Sequence, residues 1–146
     1  MNPLLSKKPI PVEERLIFAL DFADTGQARR MVERLGDAVR FYKLGLELFM
    51  AGGYFELLDW LSDKGKKSFA DLKFFDVPRT VASAVRQLRN RKVEFATVHG
   101  NDAILMAACA EKGGIKILAV TALTSLDDGD LKQLGFEVDA KTLVLA

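Results

Sequence analysis

Five short apolar runs, each bounded by turn-forming residues, recur along the 146-residue chain: LIFALD from Leu16, FYKLG from Phe41, SFADLK from Ser68, VEFATVH from Val93 and KILAVTALT from Lys116. Their starts lie 25, 27, 25 and 23 residues apart. This regularity constrains the fold more than any other feature, because each gap holds an amphipathic segment: TGQARRMVERLG, GGYFELLDWLSDKG, PRTVASAVRQLRN and NDAILMAACAEKGG. Near-continuous apolar strands are the mark of a parallel sheet covered on its faces, and connections of this length suit right-handed crossovers. Gly or Asn closes most of the helical segments as a C-cap does, and Thr25 and Asp102 stand where N-caps are expected.

The repeating unit favours a (β/α)8 barrel of the TIM type over an open doubly wound sheet. Such a barrel needs about 250 residues and rarely fewer than about 200. This chain supplies only the first five βα units, so an incomplete α/β barrel is expected, with residues 1–146 as one domain and no second domain. After Thr121, LTSLDDGDLKQLGF reads as a loop with a short helix, and VDAKTLVLA opens another helix and stops inside it. The remaining strands are expected to fall after Ala146. A piece of this kind exposes a sheet edge and apolar interior, which favours aggregation or partner binding.

Composition sets the wider limits. Hydrophobic residues make up 49% and charged residues 28%, the balance of a globular protein. Twenty-one Lys and Arg against twenty Asp and Glu leave a formal charge of +1, so no global field draws the chain to nucleic acid or to an anionic membrane. The segment MNPLLSKKPIPVEER lacks the apolar core of a signal peptide, and no later stretch approaches a membrane span. A cytoplasmic protein is expected. The single cysteine, Cys109, lies in a helical run and is read as a small buried thiol. Phe41, Phe49, Phe55 and Trp60 are read as core.

In α/β barrels the reacting groups sit where strands end and loops begin. Five ionisable residues occupy such places: Asp21 ends the first run, Lys43 lies in the second, Asp71 and Lys73 close the third, and Asp76 begins the loop after it. Asp71 and Lys73 are two apart, so on a strand both side chains project to the same face while Leu72 faces the helices. Val77-Pro78 forces an extended residue and a helix start, which leaves Asp76 on a loop. Isolated charges pointing inward are costly to desolvate, and alternating signs make such a cluster tolerable. A structural ion-pair network is the simpler alternative. The carboxylates favour the charged form of Lys73, which suits an acid or an electrostatic partner rather than a Schiff-base nucleophile. A reaction that builds carbanion character and then protonates it, such as decarboxylation, fits that pairing. His99 ends the fourth run with no nucleophile or metal set spaced near it and is read as structural or supporting.

FALD ending at Asp21, YKLGLELF around Lys43, FADLKFFDVPRTV, the TVHG run at His99 and AVTALTSL ending at Ser125 and Leu126 together resemble the orotidine 5′-monophosphate decarboxylase family. The resemblance spans nearly the whole chain but only the N-terminal part of that family's barrel. It implies conversion of orotidine 5′-monophosphate to UMP in de novo pyrimidine synthesis, without metal or organic cofactor, by a homodimer with shared active sites. Asp71 would crowd the substrate carboxylate, and Lys73 would stabilise the C6 carbanion and deliver its proton. Lys43 and Asp21 would hold the ribose hydroxyls and support the charge network. Asp76, with Thr80 nearby, would reach the partner subunit's substrate, and Ser125 would hydrogen-bond the pyrimidine. Apart from the resemblance, Phe74 and Phe75 are read as candidates for packing at a dimer interface.

The family holds the substrate phosphate through a Gln and an Arg on loops after late strands, segments that fall outside this sequence. Phosphate contacts are remote binding energy applied to the transition state, so the 146-residue chain is expected to be nearly inactive. Two other readings remain. Related sugar-phosphate decarboxylases and aldolases share the D-x-K-x-x-D run but bind Mg²⁺ through an acid on the second strand, where Lys43 stands instead. The other is a non-catalytic half-barrel that binds a nucleotide or a partner chain.

Overall fold

A computed structural model describes residues 8–145. The first seven residues, part of the N-terminal segment judged above for a leader, and Ala146 lie outside the described residues. Five strands run from β1 (Ile17–Ala19) through β2 (Phe41–Leu44), β3 (Lys67–Phe74) and β4 (Phe95–His99) to β5 (Lys116–Val120). They form one parallel sheet in sequence order, β1-β2-β3-β4-β5. Ile17 pairs with Phe41 and Ala19 with Lys43, and Phe41 in turn pairs with Lys67 and Leu44 with Ala70. The helices between them are α1 (Thr25–Leu35), α2 (Leu46–Ala51), α3 (Tyr54–Asp63), α4 (Pro78–Leu88) and α5 (Asp102–Glu111), with α6 (Asp128–Gln133) and α7 (Ala140–Leu145) after β5. The fold is α/β, with the five βα units that the spacing implies. Among the described residues, no helix is long and apolar enough to cross a membrane.

Contacts gather into two compact units. The described residues up to Leu72, with Asn90–Phe95, make one. Its core joins Phe41, Tyr42 and Leu44 of β2 to Leu57, Leu58 and Leu61 of α3 and to Val32 of α1, all buried. Each such side chain contributes about 1.5–3 kcal/mol on burial. Lys66 ties the end of α1 to β2: its nearly buried ammonium donates to the carbonyls of Gly36 at 2.7 Å and Val39 at 3.1 Å. Lys73–Arg89 with the described residues from Ala96 on make the second unit. There Val81 and Val85 of α4 pack with Val98 of β4 and with Ile104 and Ala108 of α5, and Phe74, Leu105 and Ile117 close around them.

Local chemistry corrects several expectations. The N-caps stand one residue earlier than expected, at Asp24 and Asn101. The Asp24 carboxylate accepts the Gln27 N–H at 2.8 Å, and the Asn101 side-chain oxygen accepts the Ile104 N–H at 3.2 Å. The residue before the first helical one has the extended backbone a cap requires, and at both sites it is itself a capping residue type. Cys109 is exposed, not buried. Ile104 and Ala108 are the buried pair of α5, and the residue after Ala108 is turned about 100° away from that seam. Phe49 is 40% exposed on the short helix α2, where its ring lies edge-to-face with Tyr54. Phe41 is core as expected, whereas Phe55 and Trp60 are half-buried, and the Arg29 and Lys64 cations each lie 5.0 Å from the centre of a Trp60 ring.

Candidate active site

In the first unit, three charged side chains meet at the ends of neighbouring strands. Lys43, third residue of β2, pairs in register with Ala19 of β1 and Phe69 of β3. The Leu20 N–H continues that pairing to the Lys43 carbonyl at 2.9 Å, which places Asp21 just past the strand end. The Lys43 ammonium then lies 3.5 Å from an Asp21 oxygen and 3.4 Å from an Asp71 oxygen. The Asp71 side chain is 13% exposed and that of Lys43 26%, whereas that of Asp21 is 67% exposed. Solvent therefore screens the Asp71 pair less than the Asp21 pair. Tyr54 is buried in the same unit and donates its hydroxyl to the Leu44 carbonyl at 3.2 Å. Burial, with a smaller contribution from the Asp71 charge, pushes its phenol above the ordinary range.

Along β3 the pleat alternates as a half-buried strand should: Ser68, Ala70 and Leu72 are buried, while Phe69 and Asp71 are partly open. Lys73 interrupts it with φ +47°, in the left-handed region. That conformation costs an L-residue about 1–2 kcal/mol. Rotation about N–Cα also means that alternation alone does not set the direction of its side chain. Its backbone N–H donates to the Thr97 hydroxyl at 2.9 Å, and Thr97 is 6% exposed within β4.

Other residues of the second unit follow from its turns. Val77, extended at φ −58° and ψ 147°, caps α4, and Pro78 opens it, so Asp76 lies in the preceding bend. The Asp76 carboxylate accepts the Val77 N–H at 2.6 Å and is exposed. Thr80, in the first turn of α4, and Ser125, in a turn after β5, are exposed as well. The His99 ring lies 5.2 Å from that of Phe75, and its buried Nδ1 meets no hydrogen-bond partner among the described residues. A mostly apolar cleft of about 780 Å³ opens here, lined by Phe75, Asp76, His99, Thr121 and Phe136 among others. Among the described residues, no group of three or more His, Cys, Asp or Glu is gathered as a metal site.

Residues 14–145 match the family described as "Orotidine 5′-phosphate decarboxylase / HUMPS family". The chain belongs to this family. It is 63% identical over 146 residues to the orotidine 5′-phosphate decarboxylase of Methylococcus capsulatus, covering 100% of this chain and 60% of that protein. The orotidine 5′-phosphate decarboxylase of Stenotrophomonas maltophilia is 45% identical over 145 residues, covering 97% and 60% respectively. A crystal structure of orotidine 5′-phosphate decarboxylase from Lactobacillus acidophilus superimposes with a TM-score of 0.81 at 31% identity, over 89% of this chain and 63% of that one. The chain thus spans about 60% of the length of the curated relatives it matches. Like other members of the decarboxylase family, it carries the βα units of a barrel, five of them here.

The structure brings Asp21, Lys43 and Asp71 together as a charged set, and it gives Lys73 an unusual backbone. Sequence reasoning missed two neighbours, Tyr54 and Thr97. A signal for Thr97 was present: a lone hydroxyl residue among the apolar positions of FATVH. A buried hydroxyl there needs a hydrogen-bond partner.

Proposed function

We propose that this chain carries the charged centre of an orotidine 5′-monophosphate decarboxylase, a carbon–carbon lyase that produces UMP in de novo pyrimidine synthesis without metal or organic cofactor. The observation that carries this reading is the Lys43 ammonium held between the Asp21 and Asp71 carboxylates, with Lys73 two residues beyond Asp71 on the same strand. In the proposed reaction the bond from C6 to the carboxylate breaks, CO₂ leaves, and the electron pair stays on C6. The Lys73 ammonium stabilises that carbanion and then transfers its proton to it. Fixed charge aimed at the developing anion supplies most of the effect, and repulsion between Asp71 and the substrate carboxylate assists.

Lys43 and Asp21 hold the ribose hydroxyls, and Ser125 hydrogen-bonds the pyrimidine. Asp76, with Thr80, serves the substrate of the partner subunit in a cytoplasmic homodimer. The dimer and the compartment rest on the family resemblance, and the exposed Phe75 and Val77 that flank Asp76 are consistent with an interface. Lys43 also argues against a Mg²⁺-dependent sugar-phosphate reaction, because an ammonium occupies the place between two carboxylates where a divalent cation would be held.

The test is loss of orotidine 5′-monophosphate absorbance, measured with this chain and with the chain extended by the C-terminal part of a relative. Decarboxylation by the extended protein is expected. An extended protein that binds UMP but releases no CO₂ overturns the proposal.

A further inference from the structure

We propose that Thr97 is a positioning residue for Lys73: its hydroxyl holds the Lys73 backbone in the left-handed conformation from which the ammonium acts. The inference rests on the function proposed above and adds a residue to it. Lysine has no intrinsic preference for φ +47°, and in a regular parallel strand its N–H would pair with a carbonyl of the neighbouring strand. Here the acceptor is the Thr97 hydroxyl at 2.9 Å. A strained residue persists only where its surroundings over-determine it, and such residues concentrate at functional sites.

Thr97 is well built for that task. Its branched Cβ restricts χ1, so the oxygen is held in a narrow range of positions. Ala96 and Val98 on either side are fully buried, which anchors β4 under the contact. An acceptor on a rigid strand fixes where the Lys73 backbone turns, and the turn sets the base from which the flexible side chain reaches. Misplacement of a reacting group by about 1 Å is enough to cost about 10²-fold in rate.

The experiment compares Thr97→Val and Thr97→Ser in the extended, active protein. Val keeps the shape and removes the acceptor, and Ser keeps the acceptor. Thr97→Val is expected to lower kcat by about 10²-fold, with KM and the affinity for UMP close to parental, and Thr97→Ser is expected to restore most of kcat. In crystals, Lys73 should leave the left-handed region in Thr97→Val and remain there in Thr97→Ser. Parental kcat in Thr97→Val, or equal loss in the two variants, overturns the inference. Thr97→Ala, which adds no bulk, replaces Thr97→Val should the latter not fold. A parent protein without decarboxylase activity sinks the proposed reaction instead. In that case the Lys73 φ in the acceptor-less variant alone decides the positioning role, and an unchanged φ rejects it.

Discussion

Lys73 is asked to do two things that conflict, to carry an ammonium and to adopt a backbone conformation suited to glycine. The conflict can be measured without any assay of function. At φ +47° an added Cβ is strained, so Lys73→Gly should be more stable than Lys73→Ala by about 1–2 kcal/mol, the reverse of the usual order within a strand. Urea unfolding of the two variants checks this, and Ala equal to or above Gly would show that the strain is absent. For turnover the order of importance is different. In the extended protein Lys73→Ala should lower kcat by at least about 10²–10³-fold, the range for loss of one preorganised stabilising group. Thr80→Ala, at an exposed position given a part in holding substrate but none in the proton transfer, should lower it far less. Equal losses would count against the roles given to both. The charges themselves were legible, because D-x-K-x-x-D at a strand end followed by Pro78 fixes their spacing. The backbone at Lys73 was not, since its cause is a hydroxyl 24 residues away on the next strand.

Among the elements, α4 and α5 make the most extensive helix pairing of the second unit, and their seam is bordered by charge. Arg86 grips Glu111 with two bonds of 2.9 Å, and Arg89 adds a third contact at 3.3 Å. Hydrogen bonding from Arg86 holds the Glu111 carboxyl below its ordinary range. A carboxyl whose folded pKa is depressed stabilises the fold above its unfolded pKa, and that stabilisation disappears as pH falls through the folded value. Glu111→Gln removes the titration. Its urea midpoint should therefore fall less than the parental one between neutral and acidic pH, and parallel falls would show that the pair contributes nothing. The helix α4 was plain in sequence, since Val81, Val85 and Leu88 recur with helical spacing and Pro78 marks the start. The helix α5 was legible as a helix but not in its orientation. The expectation of an amphipathic segment does not hold here: DAILMAACAE is apolar around most of its circumference, so the pattern could not say that Ala108 is buried and Cys109 exposed. The short helix α2 was not read from the sequence at all, because its six residues between Gly45 and Gly52 are too few to show a period.

At the scale of the molecule, the even spacing of the apolar runs carried the most information. A strand every 23 to 27 residues with a helix between leaves each new strand beside the last, and the sheet order β1-β2-β3-β4-β5 follows. What spacing cannot convey is which subunit a loop residue serves, and Asp76 is the case in point. It sits in an exposed bend, its carboxylate is bonded locally to the Val77 N–H, and exposed apolar residues stand on both sides. The proposal that it completes the partner's site makes a quantitative prediction for the extended protein. In a dimer of one Lys73→Ala chain and one Asp76→Asn chain, shared sites place both lesions in one site and leave the other intact. If subunits assort randomly, half of the dimers are mixed and each has one working site, so about a quarter of parental turnover should return on mixing two nearly inactive proteins. If Asp76 instead serves the site of its own subunit, every site in the mixture carries one lesion and activity stays at the level of the separate variants. Titrating one variant against the other distinguishes the two cases, because recovery through shared sites peaks at equal amounts and falls away on either side.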